Sequence, residues 1–319
     1  MKCKICNNEE NNQMYSAREM MYGFREFFDY FQCSKCECLQ ILETPQNISK
    51  YYPTEYYTFT DRAANVSWLK KTATKIRDNY GIFNTNKLLG SYLYKKFPNQ
   101  ALRSLSGVPL RKSSSILDVG CGTGVLLHSM KEIGFNNLHG IDFFLDDNYV
   151  KHEETITIEK KTIDELNGKW DLIMFHHCYE HVEDPLETLQ NVHKLLDDNG
   201  TCLIRIPIVS SFAWKHYKTN WVQFDAPRHS FIHSIASMKI LAEQANLDIR
   251  KVVYDSTAMQ FWGSEQYIKD IPLQSDNSYL VNPGKSIFSS TEIKEYKNRT
   301  ISLNNENQGD QAVFYLQKK

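Results

Sequence analysis

The sequence predicts an α/β protein: a doubly wound, mainly parallel seven-stranded sheet, with a small cysteine-rich lobe ahead of it. Three observations lead there. From Ser115 onward, short apolar runs (SILDV, NLHGIDF, TITIE, DLIMF, TCLIRIP) alternate with helical stretches such as LLHSMKEIG and PLETLQNVHKLLDDNG, the pattern of parallel strands covered on both faces by helices. The first run leads straight into a glycine-rich turn, DVGCGTG. Five of the eight cysteines fall within the first 38 residues.

A chain of 319 residues with 41% hydrophobic content can bury one full-sized core and something smaller beside it. Residues 1–60 read as a metal-binding lobe, 61–112 as a helical connector, 113–260 as the ligand-binding core, and 261–319 as a lid segment with a final antiparallel strand. With 37 Lys and Arg against 38 Asp and Glu, the net charge of −1 offers no general attraction for a phosphate backbone. A small molecule, not nucleic acid, is the expected partner. No run approaches the roughly 18 apolar residues of a membrane span, and MKCKICNNEENNQ lacks the apolar centre of a secretory signal. The expected location is cytoplasmic, where thiols stay reduced.

In the N-terminal lobe, Cys3-Lys-Ile-Cys6 and Cys33-Ser-Lys-Cys36 form a CxxC pair with 26 residues between them. Two intervening residues let both thiolates of a turn face one ion, and two such turns complete a tetrahedral zinc. Cys38 also lies within reach and could replace Cys36, but a one-residue spacing makes simultaneous ligation awkward, so it is read as unliganded. Four sulfur ligands leave no open position, so the expected zinc is structural. Next comes YYPTEYYTF, residues 51–59, readable as a docking seam or as a lid over substrate. The polar, helix-prone connector has LLGSYLYKKF, residues 88–97, as its most amphipathic piece.

The first strand of the core ends in Asp118-Val-Gly120-Cys121-Gly122-Thr-Gly124. Glycines there allow a sharp turn and close approach to a ligand, and a helix from Val125 presents free N–H groups. Dinucleotide folds use GxGxxG; this chain has GxGxG behind an acid, which repels a pyrophosphate and suits a ligand carrying an ammonium group.

With these residues, SILDVGCGTG resembles the first motif of the class I S-adenosylmethionine-dependent methyltransferases. The resemblance covers roughly residues 115–207 and implies a Rossmann-like methyltransferase fold with S-adenosyl-L-methionine as cofactor. Carried over, Asp142 at the end of LHGID accepts from the ribose hydroxyls with Phe143 beside it, Thr162 and Ile163 pass the adenine, and His176 ends the fourth strand at the cofactor's edge. DLIMFHHCYEHVEDP, residues 171–185, looks like the family's fourth-strand motif, with Glu180 and His181 ahead of a helix opened by Pro185. HHCYEH also contains HxxEH, the inverted zinc-protease motif. That chemistry needs both histidines on one helix face, whereas here a strand enters and Pro185 restarts a helix, so the residues lie on a turn. Glu180 and His181 either stabilise that turn or take part in the chemistry.

TNWVQFDAPRHSFIHS, residues 219–234, follows the fifth strand and precedes the helix IASMKILAEQA, which places it at the ligand-binding end of the sheet. Together with the cysteine lobe, it makes the chain similar to bacterial methyltransferases of surface-polysaccharide and sugar-nucleotide pathways, and more distantly to sugar C-methyltransferases with a zinc-bound N-terminal lobe. The resemblance gives His229 the part of general base, and Arg228 suits a phosphate or carboxylate of the acceptor. Those sugar enzymes have a second histidine and a glutamate where this chain has Pro227-Arg228. In the structural alternative, Asp225 pairs with Arg228 and His229 caps the loop. DIRKVVYDS and QAVFYLQ are the expected sixth and seventh strands, with residues up to Ile287 forming a lobe over the acceptor. The expected function is methyl transfer to a sugar, nucleotide-sugar or polysaccharide precursor. The alternatives are an RNA or protein methyltransferase docking through its zinc lobe, and an inactive scaffold of the same fold.

Overall fold

A computed structural model describes residues 1–52 and 67–319; most of the aromatic cluster after Tyr52 lies outside them. At the N-terminus, β1 (Gln13–Arg18) and β2 (Phe27–Gln32) pair as an antiparallel hairpin, and β3 (Leu39–Ile41) lines up on β2. Three helices follow: α1 (Trp68–Phe83), capped by the Ser67 hydroxyl, α2 (Lys87–Lys96) and α3 (Gln100–Ser104).

The main sheet comprises β4 (Ile116–Val119), β5 (Leu138–Ile141), β6 (Lys151–His152), β7 (Ile156–Glu159), β8 (Trp170–His176), β9 (Leu196–Pro207), β11 (Leu247–Tyr254) and β12 (Gln311–Lys318). Its order is β11-β12-β9-β8-β4-β5-β7-β6. Pairing is parallel from β9 through β8, β4 and β5 to β7, and antiparallel where β12 enters between β9 and β11. These are the seven expected strands, including the late antiparallel one, plus β6. That eighth strand is a polar two-residue edge, too short to show any alternation. Successive residues face opposite sides: Leu117, Ile173, Ile204 and Phe314 belong to one core, and Ile116, Leu172, Met174, Leu203 and Val313 to the other. Covering helices include α4 (Val125–Glu132), α5 (Pro185–Leu195) and α7 (Ile235–Gln244). Pro185 stands at the first position of α5 behind Asp184, whose carboxylate accepts from Glu187 N–H.

A third core departs from the sequence reading. After β9, α6 (Phe212–Tyr217) and the loop that follows bring Trp214, Trp221 and Phe224 against Tyr30 and Leu39 of the N-terminal lobe. The loop's last residues form β10 (Phe231–Ile232), which pairs with β3 so that Phe231 faces Gln40 and Ile232 faces Leu39. The smaller sheet therefore runs β1-β2-β3-β10. The C-terminal segment joins this core too, with Phe261 and Trp262 of α8 (Met259–Ile268), Ile293 and Leu303 of α9 (Ser290–Asn305), and Leu273 N–H bonding Met20 O at 2.9 Å.

At the joint lies Arg228. Its Nη2 meets Glu19 Oε1 at 2.9 Å with both side chains fully buried, its Nε and Nη2 reach Asp225 at 2.9 and 2.5 Å, and its Nη1 donates to Tyr51 O at 3.0 Å. Glu19 in turn accepts from Tyr22 and Phe24 N–H at 3.0 and 2.9 Å. Removing one partner of such a pair strands a buried charge. Arg228→Ala is expected to lower unfolding free energy by about 3–5 kcal/mol, read by chemical denaturation; a loss below about 1 kcal/mol, the range of exposed pairs, would show that the triad does not hold the lobes together.

Candidate active site at the carboxyl edge of the sheet

The turn after β4 is built by backbone shape. Gly120, Gly122 and Gly124 have φ of 72°, 52° and 77°, a region side chains rarely adopt. A β-carbon at Gly120 would strike Cys178 Sγ, and one at Gly124 would strike Ile158. Gly124 supplies no capping side chain to α4, so the first N–H groups of that helix receive no cap from their own N-cap residue. Asp118, at the end of β4, is buried and pushed up to about 8, by desolvation first and by neighbouring Asp142 second. Asp142 follows β5 and accepts from Gly122 N–H at 3.0 Å and Phe144 N–H at 2.9 Å. Burial raises its pKa, and those two amides oppose the rise.

Around this centre, Phe143 and Phe144 stand exposed, and Tyr52 stacks on Phe144 with centroids 5.9 Å apart. Cys121 packs against Gly140. Thr162 caps the turn Ile163–Glu165 and Ile163 is buried. Burial drives His176 well below its usual value, and neither ring nitrogen has a partner among the described residues.

A second group lies beside Cys178, on the turn Tyr179–His181 and on the loop carrying Arg228. Glu180 is fully buried, and neither carboxylate oxygen has a hydrogen-bond partner among the described residues. The imidazoles surround it: His177 Nδ1 lies 3.5 Å and His229 Nε2 3.9 Å from Oε1. Burial opposes charge on Glu180, but His177, His181 and His229 outweigh it and bring the carboxyl down to about 2. His177, at φ 52°, accepts at Nε2 from Arg205 at 2.8 Å, so its Nδ1–H is turned toward Glu180.

His181 and His229 are held alike. His181 Nδ1–H donates to Arg228 O at 2.8 Å and His229 Nδ1–H to Gln223 O at 3.0 Å, which leaves each Nε2 with its lone pair. The rings meet edge to face at 4.9 Å. His229 Nε2 also lies 3.8 Å from Asp225 Oδ2. Desolvation lowers His229 to about 4 and the Asp225 carboxylate pulls the other way, so the ring is neutral at pH 7.

Of the expected residues, Glu180, His181 and His229 are gathered in one cluster and Asp118, Asp142 and the glycine turn in another, while Arg228 has a different part. The Arg228 guanidinium, expected to take an acidic group of the acceptor, is engaged by Glu19, Asp225 and Tyr51 O, and this residue reaches the cluster through its carbonyl. Sequence reasoning missed Glu19 and Gln223, for which no local signal exists. It gave His177, inside the HxxEH string, no part of its own; Tyr52 belongs to the aromatic stretch read as a docking seam or a lid, and its hydroxyl lies 3.4 Å from His181 Nδ1. Away from this edge, Cys3, Cys6, Cys33 and Cys36 converge, all four sulfurs within 4.8 Å of one another.

Comparison with known proteins gives this edge its class. A family model described as a methyltransferase domain matches residues 91–252, half of the chain, and the protein belongs to that family. Among curated relatives, it is similar to the mitochondrial ubiquinone biosynthesis O-methyltransferase of Saccharomyces cerevisiae, at 29% identity over 120 residues, covering 34% of this chain and 38% of the relative. It is similar also to the ubiquinone biosynthesis O-methyltransferase of Actinobacillus pleuropneumoniae, at 35% identity over 99 residues, 27% of this chain and 42% of the relative. The chain thus spans about two fifths of the length of these relatives. Among solved structures, a methyltransferase of Thermotoga maritima described as a possible histamine N-methyltransferase aligns at 16% identity and a TM-score of 0.44, over 77% of this chain and 100% of that one.

Proposed function

We propose that the protein methylates a hydroxyl of a small hydroxylated ring, of the sugar, nucleotide-sugar or polysaccharide-precursor class, with His229 taking the proton. The carrying observation is the tautomer of His229: Gln223 O holds the Nδ1 proton, and Nε2 presents its lone pair 3.8–3.9 Å from two carboxylates. Those carboxylates favour the imidazolium that forms as the acceptor oxygen attacks the sulfonium methyl. The names of the curated relatives favour oxygen as the methylated atom. Phe143, Phe144 and Tyr52 offer aromatic surface to a ring, and the engaged guanidinium of Arg228 favours an uncharged group at this point.

For the cofactor, Asp118 faces the ammonium group, Asp142 the ribose hydroxyls, and Thr162 and Ile163 the adenine, with the Gly120–Gly124 backbone beneath. His181 and Glu180 position and neutralise His229. Positioning supplies much of the rate, so the base contributes a factor and not the whole.

Two cysteine turns suit a structural zinc. Cys3 and Cys36 Sγ, and Cys6 and Cys33 Sγ, are each 3.5 Å apart, near the edge of about 3.8 Å that zinc–sulfur bonds of about 2.3 Å give a tetrahedron. Gln40 Nε2 and the Ile5 amide point at Cys3 Sγ, at 2.9 and 3.4 Å, and the Cys36 amide at Cys33 Sγ, at 3.5 Å, donors that favour thiolates.

One observation favours a second reading of the histidine cluster. Glu180, His181 and His229 bring a carboxylate oxygen and two ring nitrogens within 4.8 Å of one another, and a divalent cation held there would polarise the acceptor oxygen instead. Methyl transfer abolished by a chelator that leaves the cysteine-bound metal in place selects this reading over the base.

Three outcomes are expected. His229→Asn keeps an N–H for Gln223 O and removes the base; methyl transfer to a hydroxylated sugar acceptor should fall about 10²-fold or more with S-adenosylmethionine affinity unchanged, whereas an unaltered rate would remove His229 from the chemistry. Asp118, at about 8 in the free protein, holds a proton at pH 7 and must lose it to face an ammonium group. Cofactor binding at pH 7 should release close to one proton, by calorimetry in buffers of differing ionisation enthalpy, and affinity should rise with pH and level off above about 8; no proton release would contradict the pairing. Metal analysis should find one zinc per chain, lost in Cys33→Ser along with protection of the N-terminal amides from exchange, and a full complement in that variant would overturn the assignment.

A further inference from the structure

The charge of the chain is unevenly placed. Residues 67–112 contain ten Lys and Arg and a single acid, Asp78, although the whole chain sums to −1. Asp78 is itself buried against Arg77 at 2.7 Å. The surplus stands on the surface: Lys70, Lys71, Lys75, Lys87, Lys95 and Lys96 are exposed, and none has a carboxylate partner among the described residues.

Large apolar side chains share that surface. On α2, Leu88, Leu89 and Tyr92 are 91%, 51% and 62% exposed, and at helical spacing they fall with Lys95 and Lys96 on one face. The opposite side packs inward, where Gly90 lies against Tyr80. Trp68 and Leu69 at the start of α1 and Phe97 after α2 are exposed as well. Single exposed apolar residues are ordinary. Six of them on and beside two helices, among lysines that have no carboxylate partner among the described residues, make a different surface, apolar groups to enter an interface and cations around them to meet its charge.

We propose that the outer face of α2, with the first turn of α1, docks this methyltransferase on the surface of an anionic lipid bilayer. Leu88, Leu89, Tyr92, Trp68 and Phe97 would sit at the headgroup level, and the lysines would reach the lipid phosphates. No helix of the described residues is long and apolar enough to cross a membrane, so this attachment is peripheral. Nucleic acid would meet the same charge and find aromatic rings at Trp68, Tyr92 and Phe97, but the aliphatic Leu69, Leu88 and Leu89 between them suit acyl chains and not bases. The proposal goes beyond the acceptor chemistry and holds whichever atom is methylated.

The test is co-sedimentation of the full chain with vesicles of phosphatidylcholine containing about one third phosphatidylglycerol, against vesicles of phosphatidylcholine alone. Expected is binding to the anionic vesicles only, weakened about tenfold or more by Leu88→Glu with Tyr92→Glu, weakened severalfold by Lys95→Glu with Lys96→Glu, and reduced in about 0.5 M salt. All four positions are exposed, so cofactor affinity should be unchanged in both variants and certifies the fold. Absent binding, equal binding to neutral vesicles, or binding indifferent to both variants would overturn the proposal. So would tighter binding to transfer RNA that depends on the lysines but not on Leu88 and Tyr92, or self-association without vesicles that the Leu88 and Tyr92 changes abolish.

Discussion

One buried cation organises the molecule. Arg228 is taken out of water, and it is tolerable there only because Glu19 and Asp225 bring carboxylates to it and Tyr51 brings a carbonyl. Those partners come from the N-terminal lobe and from the arginine's own loop, so satisfying one charge requires the lobe, the loop and the sheet edge to be assembled together. The next residue inherits the consequence. With the loop so fixed, Arg228 O receives His181 and Gln223 O receives His229, and both imidazoles keep their Nε2 lone pairs beside Glu180.

This arrangement gives the small cysteine lobe a purpose without giving it any chemistry. β3 pairs with β10 immediately after His229, and Tyr30 donates to His229 O at 2.9 Å. Ser234 Oγ, at the cap of α7, donates to Cys36 O. The lobe therefore grips the loop along its last residues, from His229 to Ser234. A metal that stiffens the lobe would stiffen the loop as well, which is the precision a methyl transfer governed by alignment requires.

Local chemistry was legible in the sequence and distant partnerships were not. The glycine turn, the acids after the first two strands, the helix opened by Pro185 and the late antiparallel strand all follow from residues within a few positions of each other, where backbone sterics and periodicity act. The four cysteines were readable because two tight turns make a recognisable ligand spacing. Arg228 shows the limit: beside a histidine it looks like a hand for an anionic acceptor, and only the three-dimensional structure shows Glu19, 209 residues earlier, holding it. β10 and β6 were missed for a related reason. Each is two residues long, and a strand that short exists only because its partner is there.

Under the proposed function, the loop fixed by Arg228 faces the methyl group. A crystal structure with S-adenosylhomocysteine measures this most directly, through the position of the sulfur relative to His229 Nε2. The expected position of the sulfur is on the side of Glu180, His181 and His229, with room for a single acceptor group between it and the imidazole. A sulfur directed to a different opening of the sheet edge, with His229 walled off from it, would remove His229 from the chemistry and return the loop to a purely structural part.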